Sequence, residues 1–316
     1  MPEIITIGDA MVTMNPLRRG PLRFSDTFER TAGGAELNVA IGCARLGLST
    51  GWISRLGKDE FGRYLKHFAQ GEGIDMSHVS FSQHAPTSVN FKEINEDGSG
   101  RTFYYRHPSP ITSLKANDIA DRWFGSAQIF HMTGVYPAIH PEHRAVMMEL
   151  LKKAKAHGVT VVMDPNIRLK LWDADEAKET LTSFLPYVDV LLTGDEEGEL
   201  LFETQVPEEI AAQAQAYGIH TVAVKMGAQG SFAKRKDQQH YCSARKPRKI
   251  VDTVGAGDGF DAGFIYGLLK GLTLEETLTF ANTIGSMVVS VSGDNEGLPY
   301  LEDVLAILNE EKTIER

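Results

Sequence analysis

Short β-branched and aliphatic segments alternate with segments of helical spacing along most of this 316-residue chain. Residues 4–8, 51–55, 129–132, 160–164, 188–193 and 221–225 read as strands. Residues 60–70, 143–157, 174–184 and 208–217 read as helices between or after them. Residues 34–46 read as a loop running into a helix, 230–241 as a hairpin, and 258–270, 273–290 and 301–310 as closing helices. Strands that alternate with helices imply βαβ units, and hence an α/β fold with a mostly parallel central sheet flanked by helices on both faces.

Two stretches break this rhythm. Residues from about 14 to 32 and from about 86 to 108 alternate polar with apolar and carry no helical period. Within the second, Asn95-Glu-Asp-Gly98 separates two extended runs and is a hairpin signal. Together they predict a small β-sheet projecting from the α/β body as a lid; an edge extension of the main sheet is the plainer alternative. The length suits one large domain or two ordinary ones, and without a repeat or a low-complexity linker residues 1–316 read as a single domain.

The net charge of −10 argues against general affinity for nucleic acid, which needs a basic footprint. No apolar run is long enough to span a membrane, and the amino terminus lacks the pattern of a signal peptide. Cys43 and Cys242 stand far apart in no metal or redox spacing, as reduced thiols of a cytoplasmic protein would. An acidic protein that binds anions must concentrate its positive charge locally.

The segment Asp252-Thr-Val-Gly-Ala-Gly-Asp258 leads into helical spacing. Gly255, Ala256 and Gly257 let backbone N–H groups approach an anion at a helix amino terminus. Asp258 sits where a carboxylate could take a proton from a hydroxyl beside a bound phosphate. A tight turn with Asp258 as helix cap would suit the same residues. Lys225-Met-Gly-Ala-Gln-Gly-Ser231 turns on Gly227 and Gly230 after a strand, a commonplace turn by itself. In so acidic a chain, Arg106 of Arg101-Thr-Phe-Tyr-Tyr-Arg106 and Arg168 of Asp164-Pro-Asn-Ile-Arg168 suggest a ligand with its own negative charge. The aromatic residues beside Arg106 would equally serve as packing, with the arginine in a surface ion pair.

Residues 252–258 resemble the carboxyl-terminal signature of the ribokinase (PfkB) family of carbohydrate kinases. Gly33-Gly-Ala-Glu-Leu-Asn-Val-Ala40 with Leu46-Gly47 resembles the amino-terminal one. The resemblance covers essentially the whole chain and implies a ribokinase-like fold, ATP as phosphoryl donor and Mg2+ as cofactor. It implies Asp258 as the base and Gly255, Ala256 and Gly257 as the anion hole. The same resemblance implies that Gly34 and Asn38 bind substrate hydroxyls, with Asp9 in the same pocket. It places Lys225, Gly227, Gly230 and Asn282 at the nucleotide, with Asn166 and Arg168 near its phosphates. Glu197 of Thr193-Gly-Asp-Glu-Glu197 keeps the acidic place of an Asn-x-x-Glu element that holds magnesium through water, while Gly194 replaces its Asn.

Within the family, Phe103-Tyr-Tyr-Arg106, Asp164-x-Asn-x-Arg168 and Gly293-Asp294-x-Glu-Gly297 resemble 2-keto-3-deoxygluconate kinases. That implies Tyr104, Arg106 and Arg168 at the keto-acid end of the substrate and Asp294 at its hydroxyls. Asn90 occupies a position that is aromatic in some relatives, and its amide can still bind the substrate by hydrogen-bonding the carboxylate or a hydroxyl. The expectation is therefore a magnesium-dependent kinase of the terminal hydroxyl of 2-keto-3-deoxygluconate, at least dimeric through its lid. A fructokinase or another sugar kinase of the family, and a catalytically silent sugar-acid sensor, are the rivals.

Overall fold

Alternation along the strands decides how this chain divides its core. The computed structural model describes residues 1–96 and 100–314, with side chains described to residue 309. Its strands are β1 (Ile4–Ile7), β2 (Met11–Pro16), β3 (Phe28–Gly33), β4 (Thr50–Gly57), β5 (Val79–Ser82), β6 (Val89–Ile94), β7 (Gly100–Tyr105), β8 (Ile129–Thr133), β9 (Thr160–Asp164), β10 (Val190–Gly194), β11 (Thr221–Lys225), β12 (Ser231–Arg235) and β13 (Gln238–Cys242).

Nine of them form the main sheet, in the order β13-β12-β11-β10-β9-β8-β1-β4-β5. From β11 to β5 every neighbouring pair is parallel, and β12 and β13 add an antiparallel hairpin at one edge. Successive residues of a strand face opposite sides. On one side Ile5, Ile7, Phe130, Met132, Val161 and Leu191 join a core under the Glu142–Ala156, Ala174–Phe184, Asp195–Phe202 and Pro207–Ala216 helices. On the other, Ile4, Trp52, Ile129, Val162 and Leu192 pack beneath the Ala35–Arg45, Ala256–Lys270 and Leu274–Val288 helices. Both faces are apolar because both are covered, as the α/β reading requires.

The four remaining strands form a separate sheet, in the order β3-β2-β6-β7. Its strands run slightly beyond the expected stretches, from Met11 at one end and to Gly33 at the other. β6 and β7 pair antiparallel as the hairpin signal predicts, but Asp97 and Gly98 of the predicted turn lie outside the described residues. Residues paired across neighbouring strands share a face. One face therefore carries Thr13, Thr31, Asn90, Lys92, Thr102 and Tyr104, and the opposite face carries Met14, Phe91, Phe103 and Tyr105. Phe91 stacks edge-on against both Phe28 and Tyr105, with ring centroids 5.4 and 5.7 Å away.

Three departures from expectation stand out. The helix expected from Asp258 begins at Ala256, because Gly255 adopts a left-handed φ of 79° and serves as its N-cap. The Asp195–Phe202 helix and β5 carry too few periodic apolar positions to be read from sequence.

Candidate active site

The parallel strands all end on one edge of the sheet, where an open α/β sheet collects its polar loops. Asp9 follows β1, Thr133 ends β8, Asp164 ends β9 and Lys225 ends β11. The Ala256–Lys270 helix starts there as well. The first amides of a helix lack intrahelical partners. That of Ala256 lies 3.4 Å from the Thr253 carbonyl, leaving those of Gly257 and Asp258 as donors without an acceptor in the helix. A Cβ on Gly255 would sit 2.2 Å from the Asp294 carbonyl oxygen, so both its φ and its surroundings demand glycine.

Asp258 occupies the first turn and is buried, 7% exposed. Its Oδ2 accepts a hydrogen bond of 2.8 Å from Asn38 Nδ2. Burial pushes its carboxyl up to about 6, against the pull of Asn38, and negative Asp164 adds to the rise. A carboxylate tuned near neutral pH is suited to removing a hydroxyl proton. Asn38 is held in turn by Asn295, whose amide lies 3.3 Å from Asn38 Oδ1 and donates to the Ala32 carbonyl at 2.7 Å. One of the amide hydrogens expected to meet the substrate thus orients Asp258. Gly34 caps the Ala35–Arg45 helix at φ 151°, and a Cβ there would approach the Asp9 carbonyl to 2.6 Å.

Beneath the loop lies a charge cluster that residue spacing alone does not reveal. Lys225 Nζ donates to Asp164 Oδ2 at 3.0 Å and to Asp261 Oδ1 at 3.2 Å, and lies 3.8 Å from where a Cβ on Gly257 would be. Burial opposes the Lys225 charge, but the two carboxylates outweigh it and keep the ammonium protonated. Burial also drives Asp261 well above the carboxylate range, with Asp164 adding to it. Asp164 is buried too, yet Lys225 and hydrogen bonds hold it low. Of the two, burial favours the acid form of Asp261, and Lys225 favours the charge of Asp164. The only hint in sequence is that Asp258 and Asp261 stand three apart on one helix.

Glu197 is partly buried, its Oε1 accepting from the Ile167 amide at 2.8 Å and its Oε2 from the Gly194 amide at 2.9 Å. Burial raises its carboxyl, as does nearby Asp164. Asn166 is buried and adopts φ 37°, a costly conformation for a non-glycine residue that often marks a functional site. Arg168 is exposed and lies close enough to lower the Asp258 titration.

On the sugar side, Arg106 Nε donates to Asp9 Oδ2 at 2.9 Å, and Ser88 and Ser109 hydroxyls lie 3.3 and 3.1 Å from the same oxygen. Asn90 Nδ2 donates to Thr13 Oγ1 at 3.0 Å, and Tyr104 stands opposite it in register, half exposed. Glu36, unremarked in the sequence outside its motif, is wholly buried; its Oε1 accepts from Thr133 Oγ1 at 2.6 Å, and burial lifts it to about 7. Asp9 Oδ1, Glu36 Oε2, Asn90 Oδ1 and Asn166 Oδ1 are buried without a hydrogen-bond partner. All four are acceptors, the complement of a ligand rich in hydroxyls.

At the nucleotide end, Gly227 opens a single 3-10 turn and Gly230 follows it into β12. Asn282 donates to the Cys242 carbonyl at 3.2 Å and lies 3.4 Å from that of Ser243, so its amide also fixes the end of β13.

A helix start with unpaired amides, a buried carboxylate raised to about 6 and unpartnered buried acceptors suit a phosphotransferase of polyhydroxylated acceptors. The model of the pfkB family carbohydrate kinases matches residues 1–301, and the chain belongs to that family. It is 33% identical over 314 residues to 2-dehydro-3-deoxygluconokinase of Bacillus subtilis (strain 168), covering 99% of this chain and 97% of that one. It is 31% identical to 2-dehydro-3-deoxygluconokinase of Thermoproteus tenax, covering 95% and 92%. The crystal structure of a PfkB protein from Polaromonas sp. JS666 superposes with a TM-score of 0.90 at 35% identity, covering 97% of this chain and all (100%) of that one.

Proposed function

We propose that this chain transfers the γ-phosphate of ATP to the terminal hydroxyl of 2-dehydro-3-deoxygluconate, the sugar acid also called 2-keto-3-deoxygluconate. The observation that carries the reading is Asp258: a buried carboxylate titrating at about 6, held by Asn38 in the first turn of a glycine-capped helix. Asp258 takes the hydroxyl proton, the freed oxygen attacks the γ-phosphorus, and ADP leaves. The amides after Gly255 and the Lys225 ammonium stabilise charge on the moving group. Arg106 and Arg168 supply positive charge for the acid end, and the names of the Bacillus and Thermoproteus relatives support that acceptor.

The second sheet serves as a lid over one catalytic unit, its polar face toward the sugar. Magnesium neutralises the triphosphate. Glu197 fits a water-mediated role, because backbone amides already occupy both its oxygens. The apolar outer face of the lid, with Tyr105 67% exposed, supports pairing of two copies. Two free cysteines support a reducing, cytoplasmic setting, and no described helix is long and apolar enough to cross a membrane. ATP-dependent product formation, measured with this acid, its galactonate epimer, fructose and ribose, tests the substrate. The sugar acids should be preferred over both neutral sugars; faster turnover of fructose would overturn the assignment.

A further inference from the structure

Lys92 has no part in the chemistry above, yet it reaches into it. It lies on β6 two residues after Asn90, on the same face, and donates from Nζ to Asp294 Oδ1 at 2.8 Å across 202 residues of sequence. The two side chains are only 16% and 14% exposed, unlike the exposed pairs that add little to stability. Asp294 sits at a junction. A Cβ on Gly33, at the end of β3, would come within 2.3 Å of its Oδ2, and one on Gly255 would meet its carbonyl oxygen. The backbone on either side of it is held by carboxylates: the Gly293 amide lies 3.4 Å from Asp252 Oδ2, and the Asn295 amide donates to Glu296 Oε2 at 3.1 Å.

We propose that Lys92 is a positioning residue for the sugar: by holding the Asp294 carboxylate it sets that group toward the acceptor hydroxyls and ties the second sheet to the loop that backs Gly255. The inference rests on the sugar-kinase reading. A mostly desolvated ion pair between two elements resists separation more than a surface pair does, so lid and phosphoryl site move together. Without the lysine, the Asp294 carboxylate would lose the 2.8 Å contact that fixes it and could turn from the sugar.

The test compares Lys92→Met, Lys92→Arg, Asp294→Asn and the Lys92→Met/Asp294→Asn pair, using the acceptor that the wild type phosphorylates best. Lys92→Met should raise KM for that acceptor about tenfold, the scale of one lost charge-assisted hydrogen bond, with KM for ATP within about twofold. Lys92→Arg should recover most of the loss, and the double variant should be no worse than the poorer single one. An unchanged acceptor KM in Lys92→Met would overturn the inference, as would equal rises in both KM values or fully additive losses. A wild type inactive on every sugar and sugar acid would instead overturn the kinase reading.

Discussion

Asp258 and Asn38 form the pair on which the chemistry turns. Burial raises Asp258 to about 6, and the proposed mechanism uses its ionised form as the base. Acceptor turnover should therefore climb as pH rises through about 6 and level off above it. The Asn38 hydrogen bond favours the charged form, so its loss lifts the carboxyl further. Asn38→Ala should move the acid limb of the kcat/KM profile to higher pH, whereas an unmoved limb would show that Asn38 does not tune the base. Asp261, one helical turn away, is held by Lys225 at 3.2 Å, and its carboxyl is raised well above the usual carboxylate range by burial.

At the scale of elements, the start of the Ala256–Lys270 helix is tightly constrained. Gly255 combines a φ of 79° with the close approach of the Asp294 carbonyl. In Gly255→Ala the backbone must shift, at a cost of about 2 kcal/mol or more from the left-handed conformation and the clash. Because the same shift displaces the amides that meet the phosphoryl group, kcat should fall about 100-fold. Thermal unfolding together with kcat checks both; a variant of normal stability and turnover would show that this turn tolerates a side chain. The second sheet follows another logic. Its polar inner face and aromatic outer face come from simple alternation, so its strands are legible in sequence. What its inner face touches is not, since Lys92 meets Asp294 through the fold of the whole chain.

Across the whole molecule, what was legible follows how local the cause is. Parallel strands announce themselves by continuous β-branched runs, and the glycine-rich turn by its composition, so the α/β fold and the phosphate-binding helix start are visible in the sequence. Contacts across distant segments are not. Asn38 meets Asp258 over 220 residues, Lys225 meets Asp164 over 61, and Arg106 meets Asp9 over 97. Roles expected of one residue at a time thus become shared: Asn38 donates to Asp258, Asp9 anchors Arg106, and Lys225 is held between two aspartates. Asn282 and Glu197 likewise spend hydrogen bonds on backbone, which spacing could not foretell. The Asn38 contact and the Lys225 cluster meet at one helix start, where Asp258 lies. The most direct measurement is single-turnover phosphorylation of 2-dehydro-3-deoxygluconate by Asp258→Asn with ATP binding followed separately. Phosphoryl transfer should fall by roughly 100-fold or more while ATP still binds, as expected for loss of a positioned base; transfer at the wild-type rate would contradict the account.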